Sequence, residues 1–412
     1  MTSSAGVVVP PSFPPVVRAH ARRATGAVFV LLGVVQGTLA SRMPALKTYA
    51  GLSDGLLGLA LLGVPFGSIL AVQVTGRWIA RRGSAPVTVV GTLIMCAALI
   101  PAAYAPGFVA LLVALVLLGV GIGLTDAAMN AHAVLVEKTY ARPIMSSFHG
   151  FASLGNLLGA ALGAGAARLA LAPQLQFPVV GVAAVAAALL VRRALLPGDA
   201  DAGGHPPDDA ADAAGQRRSG RSWSLTLVLL AAVALLAWMT EHAIADWSAV
   251  YLRDGLDASA SVATYGYALF AAAMVVTRFL SDRMVARLGP RRVLCWGGLV
   301  AGGGLAVGLL TATTVGVIVG FGLVGVGMAG VVPVVFTAAG STAGLSAGHA
   351  VSRVAGVAFA GSLVGPPVIG GIADLTSLRA ALFVVVAAAI IIGLAGPLAL
   401  GPRAAAGTRP PG

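Results

Sequence analysis

Charge is scarce in this chain. Of its 412 residues, 10% are Asp, Glu, Lys or Arg, 6% are aromatic, and two are cysteines. A soluble protein of this length ordinarily carries about a quarter charged residues, so the composition excludes that class. Cys96 and Cys295 both fall inside apolar runs, where they read as packing residues and offer neither a disulfide nor a metal site. A Walker phosphate loop, His or Cys pairs at metal-ligand spacing and a Gly-x-Ser-x-Gly elbow are all missing. No catalytic residue, metal or cofactor is therefore expected, the chain does not read as an enzyme, and ATP-driven transport would need another subunit.

What the chain has is apolar length. It is 58% hydrophobic, contains 55 glycines and has a mean hydropathy of +0.94. Stretches long enough to cross a bilayer are expected near 24–43, 55–75, 86–105, 109–133, 145–168, 177–196, 224–250, 260–281, 292–311, 315–338, 350–373 and 379–400. The second six repeat the first six at an offset of 206 positions. Ala80-Arg81-Arg82-Gly83 recurs as Ala286-Arg287-Leu288-Gly289, Gly119-Val120-Gly121 as Gly325-Val326-Gly327, and Gly155 and Gly159 as Gly361 and Gly365. Six spans per half make both halves run the same way through the membrane. The expected fold is an all-α membrane protein of twelve helices in two halves related by a parallel repeat. Its expected parts are a tail (1–23), a half (24–196), a linker (197–222), a half (223–401) and a tail (402–412).

The basic residues set the orientation. Placing the N-terminus, the loops after even-numbered spans and the C-terminus on one side gathers 20 Lys and Arg there against five on the other, with Arg278 left inside a span. Both termini are thus expected to be cytoplasmic, as in a bacterial inner-membrane protein. This bias and anionic lipid headgroups account for the net charge of +12, so nucleic acid is not an expected partner. Arg18 to Arg23 and the apolar run after them resemble a cleavable signal peptide, but cleavage would leave an unpaired half, so this run is kept as span 1.

Polar residues are unevenly spread. Away from their ends, spans 3, 6, 9 and 12 hold no Asp, Glu, Lys, Arg or His and read as lipid-facing supports, whereas span 4 carries Asp126 and His132, span 7 carries Glu241, His242 and Asp246, and span 1 carries Gln36. A charge at mid-bilayer costs roughly 2.5–3.5 kcal/mol on insertion scales, so it persists mainly beside a wet cavity or a partner. A central cavity lined by spans 1, 4 and 7 follows.

The loop Gly76-Arg77-Trp78-Ile79-Ala80-Arg81-Arg82-Gly83 resembles the Gly-x-x-x-Asp-Arg-x-Gly signature of the major facilitator superfamily, departing from it at Ala80 where an Asp is usual. Asp282-Arg283 keeps an acid and a base beside the corresponding loop of the second half. The resemblance covers essentially the whole chain, and it implies a cavity among spans 1, 4, 7 and 10. Ser41-Arg42-Met43-Pro44, Asp126 with Asn130, His149 with Ser153-Leu154-Gly155, and Asp246-Trp247-Ser248 with Tyr251-Leu252 look like a bacterial subgroup that includes a rhizopine-associated membrane protein and is distantly similar to fucose permeases.

Asp126 and Asn130, four apart, share one helix face, which pairs a proton site with a hydrogen-bonding amide. Glu137 falls on the same face nearer the cytoplasm, where an ion pair with Arg77 or Arg81 is expected. Glu241 and Asp246 point about 140° apart, with Glu241 the deeper and the second coupling candidate. His242 stands at the repeat position of Gln36. Arg278 and Asp282 are spaced for an ion pair on span 8. His132 and His149 read as structural residues. Gly155, Gly159 and Gly163 on span 5 and Gly361, Gly365, Gly370 and Gly371 on span 11 are expected at packing and rocking surfaces. A gate of Gly76, Arg77, Arg81, Gly83, Glu137, Asp282 and Arg283 is expected at the cytoplasmic end. The function these features imply is a monomeric, proton-coupled transporter of a small polar solute. An efflux antiporter is the alternative, against which Leu117 stands where such antiporters usually carry an Arg, and a membrane sensor or scaffold is the alternative of another class.

Overall fold

A computed structural model describes residues 13–140, 144–197, 223–342 and 347–400. The expected linker and C-terminal tail, apart from residues at their margins, lie outside the described residues, as do the first 12 residues of the N-terminal tail. Among the described residues the chain is helical without strands, and 12 helices are long and apolar enough to span a membrane. These are span 1 (Pro15–Ser41), span 2 (Asp54–Arg82), span 3 (Ser84–Ala103), span 4 (Phe108–Lys138), span 5 (Ser147–Arg168) and span 6 (Pro173–Ala194). The second half holds span 7 (Leu225–Gly255), span 8 (Ala260–Ser281), span 9 (Pro290–Thr311), span 10 (Thr314–Gly340), span 11 (Arg353–Leu375) and span 12 (Leu378–Ala399).

Helices are what such a sequence must form, because hydrocarbon offers no partner to a bare N–H or C=O. The sequence also marks where they begin. Ser53, Ser224, Ser259, Thr313 and Ser377 each accept a backbone N–H of the following first turn through the side-chain oxygen. Gly83 and its repeat counterpart Gly289 turn the chain between spans 2 and 3 and spans 8 and 9 with φ of 77° and 82°, a region glycine enters without strain. The largest boundary difference from expectation is at span 1, which begins at Pro15, not 24. Arg18 donates to the Thr139 carbonyl at 2.7 Å, and the Arg18 and Arg22 guanidinium groups lie 5.8 and 5.7 Å from the Tyr140 ring centre, so the basic segment is held as helix against the end of span 4.

The two halves use the same set of neighbours. Span 5 packs on span 1 as span 11 packs on span 7; spans 2 and 3 flank span 4 as spans 8 and 9 flank span 10; span 6 covers span 3 as span 12 covers span 9. Between the halves the main contacts are span 5 with span 8 and the first part of span 2 with span 11, again exchanged by the repeat. Span 2 is broken at Leu62, and its two parts part company. Asp54–Leu61 packs chiefly against span 11, while Gly63–Arg82 lies along span 4.

The glycine seams correct one expectation. A Cβ on Gly155 or Gly159 would run into the backbone carbonyls of Val30 and Val34 of span 1, and one on Gly361 into that of Leu235 of span 7. These seams join helices of the same half and hold each half rigid, so they are not the surfaces on which one half moves against the other. Gly58 and Gly370 lie in contact between the halves: a Cβ on Gly58 would lie 2.5 Å from the Pro366 carbonyl oxygen, and one on Gly370 2.5 Å from that of Asp54. Gly371, expected to pack, has nothing within 4 Å. Glycine reports that a backbone comes close; it does not name the backbone.

Candidate functional site

A cavity of ≈ 390 Å³ lies between the halves. That is near the lower end of small-molecule sites, which span roughly 300–1,000 Å³. Its wall includes Gln36 of span 1, Ser68 of span 2, Asp126 of span 4, Asn156 of span 5, Trp238, Glu241, His242 and Asp246 of span 7, Tyr267 and Arg278 of span 8, and Phe359 of span 11. Spans 3, 6, 9 and 12 contribute no lining residue, as their lack of charged residues away from the ends implied. Span 10 contributes none either, contrary to the expected set of 1, 4, 7 and 10. Its Thr314–Met328 segment is all Gly, Val, Ile, Leu, Phe and Met after the first residue and packs against spans 8 and 9, leaving spans 2, 5, 8 and 11 to complete the wall.

Asp126 and Asn130 meet as their spacing required. The Asn130 amide donates to the Asp126 carbonyl at 2.8 Å and to its carboxylate at 3.1 Å. Asp126 is exposed although it sits well inside an apolar helix, because it faces the space between the halves. Gln36 and His242, the repeat-related pair, both line the cavity. His242 uses Nδ1 on the Trp238 carbonyl at 2.9 Å and stacks on the Trp238 indole with ring centres 5.7 Å apart. A carbonyl only accepts, so Nδ1 is the donor there.

Glu241 and Asp246 keep the angular separation of their spacing, and the cavity is wide enough to take both. Glu241 turns to span 8, where Arg278 lies 3.6 Å away. Arg278 crosses to Glu241 and lines the cavity; its expected pairing with Asp282 falls on a side chain outside the described residues. A partly desolvated carboxylate in the bundle attracts a guanidinium more strongly than one in water.

Glu137 also departs from expectation. Its Oε2 accepts the backbone N–H of Ile144 at 2.6 Å and of Met145 at 2.8 Å, capping the helix Met145–Arg168 rather than pairing with Arg77 or Arg81. Arg77, Arg81 and Arg283 are exposed and, among the described residues, make no ion pair, Gly76 has no neighbour within 4 Å of a Cβ, and the Asp282 side chain of the expected gate lies outside the described residues. His132 is structural as expected: the Leu196 N–H donates to Nε2 at 3.3 Å, which puts the ring proton on Nδ1, 2.9 Å from Ser84 Oγ. His149 packs edge-on against Phe29 at 5.4 Å.

Two cavity residues left no mark among the charges. The Tyr267 hydroxyl of span 8 donates to the Asn156 Oδ1 of span 5 at 3.3 Å, a bond between the halves. Asn156 had a signal, an amide inside an apolar run next to Gly155; Tyr267 had none beyond being amphipathic.

The end of the bundle away from the chain termini is tied shut. Lys47, on the short helix Met43–Ala50 after span 1, reaches Asp54 at 2.6 Å and Asp254 of the other half at 2.7 Å. Ser53 donates to Asp374 of span 11 at 2.9 Å. Burial alone would lower the pKa of the Lys47 ammonium, but the hydrogen bonds and attraction of Asp254 and Asp54 outweigh it, and the pKa is raised. Arg42, buried and donating to the Leu171 carbonyl, is lowered by desolvation.

Twelve helices in two repeated halves around a polar cavity closed at one end define a membrane solute carrier. The Major Facilitator Superfamily model matches residues 25–281 and 227–412, and the chain belongs to that superfamily: it is a secondary transporter and not an enzyme. An uncharacterised MFS-type transporter of Yersinia pestis is 35% identical over 357 residues, covering 87% of this chain and 90% of that protein. The membrane protein MosC of Rhizobium meliloti is 29% identical, covering 89% of this chain and 87% of MosC. Among solved structures, a bacterial homologue of the human lysosomal transporter Spinster, inward-facing and unoccupied, aligns with a TM-score of 0.73 at 16% identity, covering 94% of this chain and 98% of that one. A D-xylose–proton symporter aligns with a TM-score of 0.70 at 15% identity over 91% and 96%.

Proposed function

We propose that the protein is a monomeric, proton-coupled transporter that moves a small polar solute into the cell across the bacterial inner membrane by alternating access. The observation that carries this reading is the presence of Asp126, Glu241 and Asp246 on the wall of one cavity between the halves. Carboxylates at that depth are costly unless they serve a wet site, and each is able to take and release a proton. With the termini in the cytoplasm, the end tied by Lys47 is the outer end, and the conformation faces inward. Asp126 is the coupling group, its carboxylate oriented by Asn130; Glu241 is the second, and Gln36, His242 and Asp246 contact the solute. Arg77, Arg81 and Arg283, with Asp282, meet at the cytoplasmic rim when the halves close there. Residues 24–196 and 223–401 move as two bodies about the 197–222 linker.

The test is Asp126→Asn in proteoliposomes under an imposed pH gradient. The amide keeps the hydrogen bonding and cannot carry a proton, so accumulation is lost while solute exchange persists. Normal accumulation by the variant would make Asp126 structural.

A further inference from the structure

From the cavity wall we infer that the solute is a small organic cation, recognised by Asp246 in a cavity that aromatic rings also line. The inference rests on the cavity being the transport site and adds the charge of what it carries. Three carboxylates and one guanidinium line it, a formal excess of two negative charges, and His242 adds a ring whose Nδ1 is already committed to the Trp238 carbonyl. The one guanidinium is engaged: Arg278 stands 3.6 Å from Glu241. Asp126 is held by a neutral amide. Among the described residues no Lys or Arg lies within 4.0 Å of Asp126 or Asp246, since the ion pairs there involve Lys47 and Arg278 alone.

The neutral part of the wall adds aromatic surface: Trp238, Phe359, Tyr267 and Phe270 all line the cavity. Trp238 packs at 5.8 Å from Phe359 and Tyr267 at 5.9 Å from Phe270, two aromatic pairs on the cavity wall. A cation is attracted both to a carboxylate that lacks a counter-charge and to the face of an indole. An anion would meet two uncompensated carboxylates and find the guanidinium already paired. A neutral solute would leave the charge excess as it stands. An ammonium group next to Asp246 is the arrangement that relieves it, with Asp126 left for the proton.

The experiment uses the full-length protein in detergent and two matched sets of probes: glucosamine, glucose and glucuronate; putrescine, 1,4-butanediol and succinate. Thermal shift and equilibrium binding are read for each. Stabilisation by at least one amine, about tenfold or more tighter than its neutral partner, absent with the carboxylates, lost in Asp246→Asn and kept in Asp246→Glu, supports the assignment. Stabilisation by the neutral or acidic members in preference to the amines, by none of the six, or undiminished amine binding in Asp246→Asn, overturns it. Because Asp246→Glu keeps the charge, it separates loss of the site from loss of the fold. Amine binding without flux under any gradient would defeat the transport reading and leave the cation site standing; proton-driven accumulation of glucose would do the reverse.

Discussion

Replacing Lys47 by Gln removes its ion pair to Asp254 across the halves and its pair to Asp54 within the first half, and leaves the two carboxylates facing one another at the tied end. At an effective dielectric near 20, two unit charges about 2.7 Å apart attract by roughly 6 kcal/mol before desolvation. Most of that is offset. Lys47 is 14% exposed and Asp54 19%, so both lose hydration on pairing, and Asp254 at 37% is screened by solvent. A net loss of about 1–3 kcal/mol on closure remains, which is roughly a 5- to 150-fold shift of the closed-to-open equilibrium. The assay places a cysteine at Met43, a buried cavity residue at 1% exposure, in a background lacking Cys96 and Cys295, and follows labelling of intact cells by an impermeant maleimide. Labelling should rise steeply in Lys47→Gln. The pH dependence has a defined sign: the Lys47 pKa is raised from its ordinary 10.5, so its contribution to closure is fully present below that value and is lost only as pH climbs through the higher one. Between about pH 6 and 9 lysine deprotonation therefore leaves labelling of the parent protein unchanged. Equal labelling of the parent protein and of Lys47→Gln would refute the idea that these pairs hold the outer end.

The glycine seams should respond unequally. Gly159→Ala puts a Cβ against the Val34 carbonyl and 2.7 Å from the Thr38 nitrogen, both backbone, and should lower stability by about 1–3 kcal/mol; Gly365→Ala meets the flexible Met239 side chain at 3.2 Å and should change the melting temperature little. Equal melting temperatures for the two variants would contradict the seam assignment. Reporters inserted near Ala210 or fused after Gly412 should both read cytoplasmic, because 20 basic residues face that side against five. An external signal at either site would reverse the orientation.

Much of this architecture is legible in the chain because hydrocarbon permits so few solutions. A run of about 20 apolar residues has to be a helix there, and a constant offset of 206 positions has to be a repeat. Asp126 and Asn130 were found together because four residues bring side chains onto one face whatever the tertiary structure. What failed were statements about partners on other helices. Only the packing of span 8 beside span 7 offers Arg278 a contact with Glu241, which no spacing along one helix announces. Glu137 had two arginines in plausible reach and took two backbone N–H groups, whose position depends on how the chain re-enters at Ile144. Gly159 announced a close approach without saying that span 1, in the same half, was the partner. The break at Leu62 is marked by Pro65, which has no N–H to give the Leu61 carbonyl and whose ring crowds it; the consequence, a segment of span 2 that packs chiefly on span 11, belongs to tertiary structure alone.

Alternating access is the central claim, and it is tested most directly by two distances measured together. Spin labels at Tyr49 and Leu375, exposed by 47% and 86%, report the end tied by Lys47; labels at Arg82 and Leu288 report the other end. Pulsed electron paramagnetic resonance on the reconstituted parent protein and on Lys47→Gln should show the first distance lengthening and the second shortening in the same molecules, in the same fraction. A first distance that lengthens while the second stays fixed, or two distances that grow together, would contradict a transporter whose halves open at one end by closing at the other.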